Sequence, residues 1–263
     1  MFSARVATAA ALLAVFVAAL LFLPNPWWTV FLVPLLFGAG WEWSRLSGFE
    51  LPARCTFCVL VVGTALALWW TRSDGVLATV FALSCGFWIL LAPVWLIRRW
   101  RVRSRWVLLL TGWVVLVPAW LAIGHLQVEP AQLLAVLGIV WLADTGAYLA
   151  GRAWGRHPLA PAISPGKTWE GVAGGVGAVA VYYGVLSQFL PDWNWWSGGM
   201  AVVLFAGVTA ASMVGDLFES WIKRLAGVKD SGSLLPGHGG ILDRVDSVTS
   251  SLPLAAALLL YAK

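Results

Sequence analysis

A set of polar side chains at helical spacing is the first feature of this sequence that could do chemistry. Between positions 215 and 224, polar residues recur three and four positions apart. The set comprises Asp216, Glu219, Ser220, Lys223 and Arg224. This spacing places them on one face of a helix, with oxygen ligands at one end and cations at the other. Carboxylates suit Mg²⁺ and cations suit phosphate, so the face predicts a site for a metal and a phosphorylated substrate.

A glycine-rich segment and two further acids follow this face. Asp243 and Asp246 lie three positions apart at the start of the last apolar stretch. Glycines allow close backbone approach, and N–H groups at the start of a helix bind phosphate well. We therefore interpret the segment as a polyphosphate-binding loop. Its candidate binding residues are Lys229, Gly237, His238, Gly239, Gly240 and Arg244.

Two upstream segments add candidates to the same site. Asp144 and Tyr148 are one helical turn apart and share a face. Further on, the sequence Ser-Pro-Gly-Lys-Thr at 164–168 supplies Ser164 and Lys167, and its threonine is expected to cap the next helix. The segment is not a P-loop, because proline stands at 161, where the first glycine would be required. Five other acids are expected in or near short loops, on the solvated surface: Glu42, Glu50, Asp74, Glu129 and Asp192.

The composition shows what must position these residues. Of 263 residues, 60% are hydrophobic and 11% charged, with a mean hydropathy of +0.84. Soluble domains carry about 25% charged residues, so a soluble enzyme, a disordered chain and a nucleic-acid-binding module are excluded. The expected fold is an all-α polytopic membrane protein with about nine transmembrane helices. The predicted spans are 5–23, 27–46, 54–71, 76–97, 105–124, 131–150, 169–190, 198–222 and 247–262.

The spans divide into two bundles without a separate soluble domain. Five spans occupy residues 1–124, and four, with all the candidate site residues, occupy residues 125–263. With a cytoplasmic N-terminus and a periplasmic C-terminus, every Lys and Arg except Arg72 and Lys263 falls on the cytoplasmic side. Because basic residues concentrate in cytoplasmic loops, this asymmetry predicts that orientation.

Several of these segments resemble one enzyme family. Residues 220–224, 229–232 and 236–246, with 144–148 and 164–171, are similar to the signature of phosphatidate cytidylyltransferases, the bacterial CDP-diacylglycerol synthases. The resemblance implies transfer of a cytidylyl group from CTP to phosphatidate, giving CDP-diacylglycerol and pyrophosphate. It also implies Mg²⁺, with a monovalent cation such as K⁺ as a further candidate. A homodimer in the bacterial inner membrane, among membrane lipids and with no nucleic acid partner, is implied as well.

The resemblance implies specific roles for the candidate site residues. The expected metal centre is Asp216, Ser220, Asp243 and Asp246, with Asp144 either as an additional acidic ligand or as the residue that orients a basic side chain. Asp216, Lys223, Asp243 and Asp246 are the catalytic candidates. Because the attacking phosphate is already ionised, no strong base is required, and the main task is to neutralise two polyanions. The loop cation Lys167 is expected to meet CTP, and the helix-end cation Arg224 the lipid phosphate.

Two alternatives remain open at this stage. One is a cytidylyltransferase for another lipid phosphate. The other is an ion-coupled transporter, whose acids would be expected near the membrane midplane in paired repeats. Here the acids lie towards one membrane face in one half of the chain, which favours the enzyme. The motif of the CDP-alcohol phosphotransferases is absent from the sequence.

Overall fold

The computed structural model describes residues 2–71, 73–189, 198–234 and 239–261, and helices make up 82% of these described residues. The first helices are α1 (Phe2–Phe22), α2 (Asn25–Phe31), α3 (Val33–Leu46), α4 (Leu51–Thr71) and α5 (Asp74–Gly86). A π-helical turn (Phe87–Leu91) leads into α6 (Ala92–Arg98), followed by α7 (Arg105–Leu126) and α8 (Pro130–Trp154). A hairpin of β1 (Pro158–Ala160) and β2 (Ser164–Thr168) precedes α9 (Trp169–Phe189), α10 (Gly198–Leu225) and α11 (Leu242–Tyr261).

The helices confirm an all-α membrane protein. Over its described residues, each predicted span falls largely on helical segments. Six helices of the described chain are long and apolar enough to cross a membrane. These six are Leu51–Thr71, Asp74–Arg98, Arg105–Leu126, Pro130–Trp154, Trp169–Phe189 and Gly199–Leu225. The count of nine spans and the orientation of the termini stay predictions.

Prolines account for two irregularities within predicted spans. Pro34 lies in the first turn of α3, directly after the break that separates it from α2. Pro93 lies in the first turn of α6, directly after the π-helical turn. Because proline lacks an N–H group, neither residue can continue the hydrogen-bond ladder of the preceding helix.

The core joins helices from both halves of the chain. Trp43 of α3 is buried and donates its indole N–H to the carbonyl of Leu108 on α7 at 2.8 Å. Gly112 leaves the space that this indole occupies. On the other side of the bundle, Phe218 of α10 packs edge-on against Phe87 and Trp95, with ring centroids 5.4 and 5.5 Å away. The packing thus fixes α10, which carries the polar face, against the N-terminal half.

Small residues bring α8 and α9 into close contact. A Cβ atom added at Gly146 would lie 2.7 Å from the carbonyl oxygen of Gly174, so the two backbones nearly touch. The hairpin between these helices is antiparallel and irregular, pairing Pro158 with Thr168 and Ala160 with Ser164. The short distance between the helices places the end of this hairpin beside Asp144.

Candidate functional site

Carboxylates from α8, α10 and α11 form a continuous acidic band, defined here as Asp144, Asp216, Glu219, Asp243 and Asp246. Asp144 interacts electrostatically with Asp216 and hydrogen-bonds to Ser247. Asp216 interacts in turn with Asp246. Glu219 interacts electrostatically with both Asp246 and Asp243. Three helices therefore bring together acids that are up to about 100 positions apart in the sequence.

A lysine lies towards each end of the acidic band. Lys167, at the end of β2, forms an ion pair with Asp216. The ammonium group of Lys223 lies 2.9 Å from a Glu219 oxygen and 2.7 Å from an Asp243 oxygen. The Lys223 side chain is only 11% exposed, and those of its partners 6% and 12%. Pairs shielded from water to this degree are strongly coupled, so each of these three groups depends on the other two.

A cleft of about 200 Å³ opens at the Lys167 end of the band. Its polar lining comes from Asp144, Tyr148, Lys167 and Asp216, so the two predicted residues of α8 do share one face. Its apolar lining comes from side chains of α8, α9, α10 and the hairpin: Ala143, Ala147, Leu159, Val172 and Met213. The cleft is therefore amphipathic, with charges collected near the hairpin.

The hairpin is held at its base by two side chains. The hydroxyl oxygen of Thr168 accepts the N–H of Gly171 at 3.1 Å, which confirms the predicted cap of α9. Glu170 accepts the backbone N–H groups of Arg156 and His157, each at 3.2 Å, and its carboxylate lies 2.5 Å from the His157 ring. These contacts fix the direction in which Lys167 enters the cleft.

Asp243 is surrounded by hydrogen-bond donors. Its carboxylate accepts the backbone N–H and hydroxyl of Ser231 at 2.9 and 3.0 Å, and the N–H of Gly240 at 2.9 Å. Gly239 has φ of +83°, a conformation that favours glycine, and it turns the chain back towards Asp243. Together with Lys223, these donors hold the Asp243 side chain in place and fix the chain before α11 around it.

The position and burial of Glu42 differ from what the sequence predicted. It was expected on the solvated surface, in or near a short loop, but it lies in α3 and is 1% exposed. Its carboxylate accepts the Ser231 hydroxyl at 2.8 Å and the backbone N–H groups of Ile241 and Leu242 at 3.1 and 2.9 Å. The expectation was wrong because these donors come from a part of the chain about 190 positions away, which no local pattern can show.

The other candidates lie around the band at varying exposure. Ser220 is half-buried on α10, and Ser164 is half-buried in β2. Arg224 is exposed and donates to the carbonyls of Ile163 and Val228, each at 3.3 Å. Lys229 and Arg244 are exposed. Gly237 and His238 lie outside the described residues, as does Asp192.

Two members of this network were missed as site residues. Glu219 belongs to the polar face of α10 but was not assigned a role, although its helical spacing placed it between Asp216 and Lys223. Glu42 lies inside the predicted span 27–46, and a carboxylate within a span is costly enough to indicate a specific partner. The helical spacing of Glu219 and the position of Glu42 within a span were both visible in the sequence. Assigning a role to Glu42 also required knowing where its partner lies.

The band suits a hydrated divalent ion better than a fully enclosed one. Among the described residues, no group of three His, Cys, Asp or Glu side chains is close enough to bind a metal ion by itself. Mg²⁺ usually retains several waters and takes one or two carboxylates together with substrate phosphates. Asp216, Glu219 and Asp246 bring like charges together, with Lys167 paired to Asp216 and Lys223 to Glu219. The donor set therefore fits Mg²⁺.

The fold and this site define a class: a multi-pass membrane protein with a lysine-flanked acidic band beside an amphipathic cleft. Comparison with known proteins specifies it further. The sequence pattern of the cytidylyltransferase family matches residues 3–262. The chain therefore belongs to the cytidylyltransferase family.

Individual relatives agree with this assignment. The chain is 36% identical over 279 residues to the phosphatidate cytidylyltransferase of Pseudomonas aeruginosa, covering 98% of this chain and 97% of that protein. The phosphatidate cytidylyltransferase of Brucella suis is 36% identical over 242 residues, covering 89% of this chain and 82% of the relative. The one from Staphylococcus aureus is 49% identical over 126 residues, covering 46% of each chain.

Proposed function

We propose that this chain transfers the cytidylyl group of CTP to phosphatidate, giving CDP-diacylglycerol and pyrophosphate. The observation that carries the proposal is the acidic band with a lysine towards each end, beside an amphipathic cleft between membrane-compatible helices. The family assignment and the names of the relatives support the same reaction.

The position of the site suits one soluble and one lipid substrate. Lys167 and Asp216 line a cleft whose other walls are apolar side chains of α8, α9 and α10. A lipid phosphate can meet Lys167 there while its acyl chains stay among the helices or in lipid. Arg224, Lys229 and Arg244 are exposed cations, and we propose that they meet CTP, which arrives from water.

The side chains of the protein bind and orient the reactants. The nucleophile is a phosphate oxygen that is already ionised, so the site needs no strong general base. It needs positive charge, which Lys167 and Lys223 supply from fixed positions. Electrostatic stabilisation from such preorganised groups is often the largest contribution to catalysis.

Mg²⁺ is the proposed cofactor. Asp216 and Asp246 are the proposed holders of the ion, with Asp144, Glu219 and Ser220 beside them, and Asp243 within the same band. When bound, the ion would neutralise phosphate charge in the displacement at the α-phosphorus of CTP. A monovalent cation such as K⁺ is proposed as a second, weaker requirement, to be tested by replacing K⁺ with tetramethylammonium.

The activity is tested with the purified full chain in detergent micelles. Labelled CTP, Mg²⁺ and a panel of lipid phosphates are supplied, and pyrophosphate release and labelled lipid are measured. Phosphatidate-dependent release of pyrophosphate with formation of CDP-diacylglycerol is expected. Preference for another lipid phosphate would identify a different acceptor, and the absence of lipid-dependent release would contradict the enzyme proposal.

Topology gives an independent prediction. We propose nine spans in the bacterial inner membrane, with the N-terminus and the loops near Arg101, Lys167 and Lys229 in the cytoplasm and Lys263 in the periplasm. In a Cys-free background, a cysteine at position 101 should resist a membrane-impermeant reagent applied to spheroplasts. A cysteine at the exposed position 129 should react and serves as the matched control. Labelling of position 101 but not of 129 would contradict the proposed orientation and indicate the opposite one.

The two substrates should depend on different cations. Sequence position favoured Lys167 for CTP and Arg224 for the lipid, but the contacts support the opposite assignment. Lys167 lines the cleft between helices, whereas Arg224 is exposed and bound to backbone carbonyls. We expect Lys167→Ala to raise the KM for phosphatidate about tenfold or more, as for loss of a charge-assisted hydrogen bond. Arg224→Ala should mainly affect CTP.

Steady-state kinetics in mixed micelles check this division of roles. Each substrate is varied while the other is saturating, and the KM values of the two variants are compared with those of the unaltered chain. A rise in the KM for CTP alone in Lys167→Ala would restore the sequence-based assignment and contradict the one proposed here.

Two organisational predictions also remain proposals. A homodimer is proposed, and chemical cross-linking in native membranes should yield a species of twice the chain mass. The division into a bundle at 1–124 and a catalytic bundle at 125–263 is likewise proposed. Co-expression of the two fragments should restore activity if each inserts separately.

A further inference from the structure

A buried carboxylate of the N-terminal half binds both the loop before α11 and the first turn of α11, which carries Asp243. Glu42 is 1% exposed and lies on α3, outside the segments that hold the acidic band. A buried carboxylate is costly unless it is well hydrogen-bonded. The partners of Glu42 are the Ser231 hydroxyl and the backbone N–H groups of Ile241 and Leu242. Ser231 lies before α11 in the chain, and the other two lie at the start of α11.

Two of these partners lie at the start of a helix. The first N–H groups of a helix have no partner within the helix, and the helix dipole favours a negative group there. Leu242 is the first residue of α11 and Ile241 precedes it. Glu42 therefore acts as a cap for α11 that is supplied by a distant helix, and it fixes where α11 begins.

The third partner links Glu42 to Asp243. The Ser231 hydroxyl lies 2.8 Å from Glu42 and 3.0 Å from Asp243. A hydroxyl has one proton, so it donates to one carboxylate at a time and lies between the two. Asp243 in turn holds Lys223 at 2.7 Å. A continuous chain of contacts thus runs from α3 to the lysine of the proposed site.

Two glycines keep space for the Glu42 carboxylate. A Cβ atom at Gly232 would overlap Glu42 Oε1, and one at Gly240 would lie 2.5 Å from Glu42 Oε2. Arg45, one helical turn after Glu42, donates to the Ser231 carbonyl at 2.5 Å and holds the same residue from a second direction. The two glycines leave room for the Glu42 carboxylate, and Arg45 helps to hold its partner Ser231.

We propose that Glu42 is a positioning residue for the reaction: it holds Ser231 and the first turn of α11 so that Asp243 and Lys223 are correctly placed. The inference rests on the proposed function, because it assigns Glu42 a role in that reaction. It gives the N-terminal half a part in the site beyond anchoring the protein in the membrane.

The first test compares Glu42→Gln with Glu50→Gln, an exposed acid eight positions further on. Glutamine keeps the size of the side chain. Its NH₂ group, however, cannot accept the hydrogen bond that a backbone N–H donates to the Glu42 carboxylate. We expect Glu42→Gln to lower kcat/KM for CTP about tenfold, as for loss of a buried hydrogen bond to a charged group, and to leave the KM for phosphatidate within about twofold. Glu50→Gln should match the unaltered chain.

A second measurement does not depend on turnover. Backbone hydrogen exchange of the full chain in detergent should accelerate in peptides covering residues 229–246 of Glu42→Gln, and remain unchanged in α8 and α9. Faster exchange over the whole chain, or a lower yield of enzyme with unaltered kinetic constants, would indicate a structural role only and would overturn the proposal. Unchanged kinetics and unchanged exchange would overturn it as well.

A third variant covers the case in which Glu42→Gln does not fold. Gly232→Ala leaves Glu42 chemically intact but displaces its carboxylate, so it should reproduce the defect in the use of CTP. Gly177→Ala adds a methyl group where nothing lies within 4 Å and is the matched control. If Gly232→Ala behaves like Gly177→Ala, Glu42 does not position the loop. An unaltered chain without lipid-dependent activity would instead contradict the proposed function itself.

Discussion

Asp216→Asn is expected to reduce kcat by about 10²-fold or more, the scale seen when a key electrostatic stabiliser is removed. Asparagine keeps the size of the side chain but removes the charge that is proposed to hold Mg²⁺ and that pairs with Lys167. Asp246→Asn should act similarly, because Asp246 interacts with both Asp216 and Glu219. The measurement is CDP-diacylglycerol formation as Mg²⁺ is varied, with insertion checked by membrane fractionation.

The behaviour of Asp243→Asn separates two roles within the band. Asp243 already accepts hydrogen bonds from Ser231, Gly240 and Lys223, so its contacts favour a role in shaping the loop. We expect Asp243→Asn to lose turnover at every Mg²⁺ concentration, whereas Asp216→Asn should also require more Mg²⁺ for half-maximal activity. Asp74→Asn, at an exposed acid outside the band, is the control. An unchanged Mg²⁺ requirement in both Asp216→Asn and Asp246→Asn would contradict the proposed metal site.

Lys223→Met is expected to damage stability as well as activity. Removing this ammonium group leaves Glu219 and Asp243 almost buried without their shared cation. Breaking a buried ion pair by removing one partner costs about 3–5 kcal/mol. The free energy of unfolding, measured by denaturant titration in mixed micelles, should fall by this amount. Lys229→Met, at an exposed lysine, should leave it nearly unchanged.

A double variant shows whether the unpaired carboxylate charge causes the loss of stability in Lys223→Met. Glu219→Gln removes one of the two carboxylates that Lys223→Met leaves unpaired. The combined variant Lys223→Met/Glu219→Gln should recover part of the lost stability, because one buried charge has been removed together with its partner. Activity should not return, since the proposed phosphate-binding cation is still missing. A double variant that is no more stable than Lys223→Met would show that the pair does not account for the loss.

The polar face of α10 illustrates what local sequence can predict. The spacing of Asp216, Glu219 and Lys223 fixes their common side as soon as the segment is helical. The same holds for the Thr168 cap of α9 and for Asp144 and Tyr148 on α8, because each pattern involves residues within one or two helical turns. The apolar composition likewise determined an all-α membrane protein, since only a few backbone structures can satisfy their hydrogen bonds in lipid.

Only the tertiary structure decided which segments meet. Glu42 and Ser231 are 189 positions apart, and their contact depends on how α3 packs beside the start of α11. The pairing of Lys167 with Asp216 similarly depends on the close approach of α8 and α9, which sets the position of the hairpin. Helical periodicity indicates which side of a helix is polar, but not which neighbour that side faces. That choice is made by packing among all the helices, so it became visible only in three dimensions.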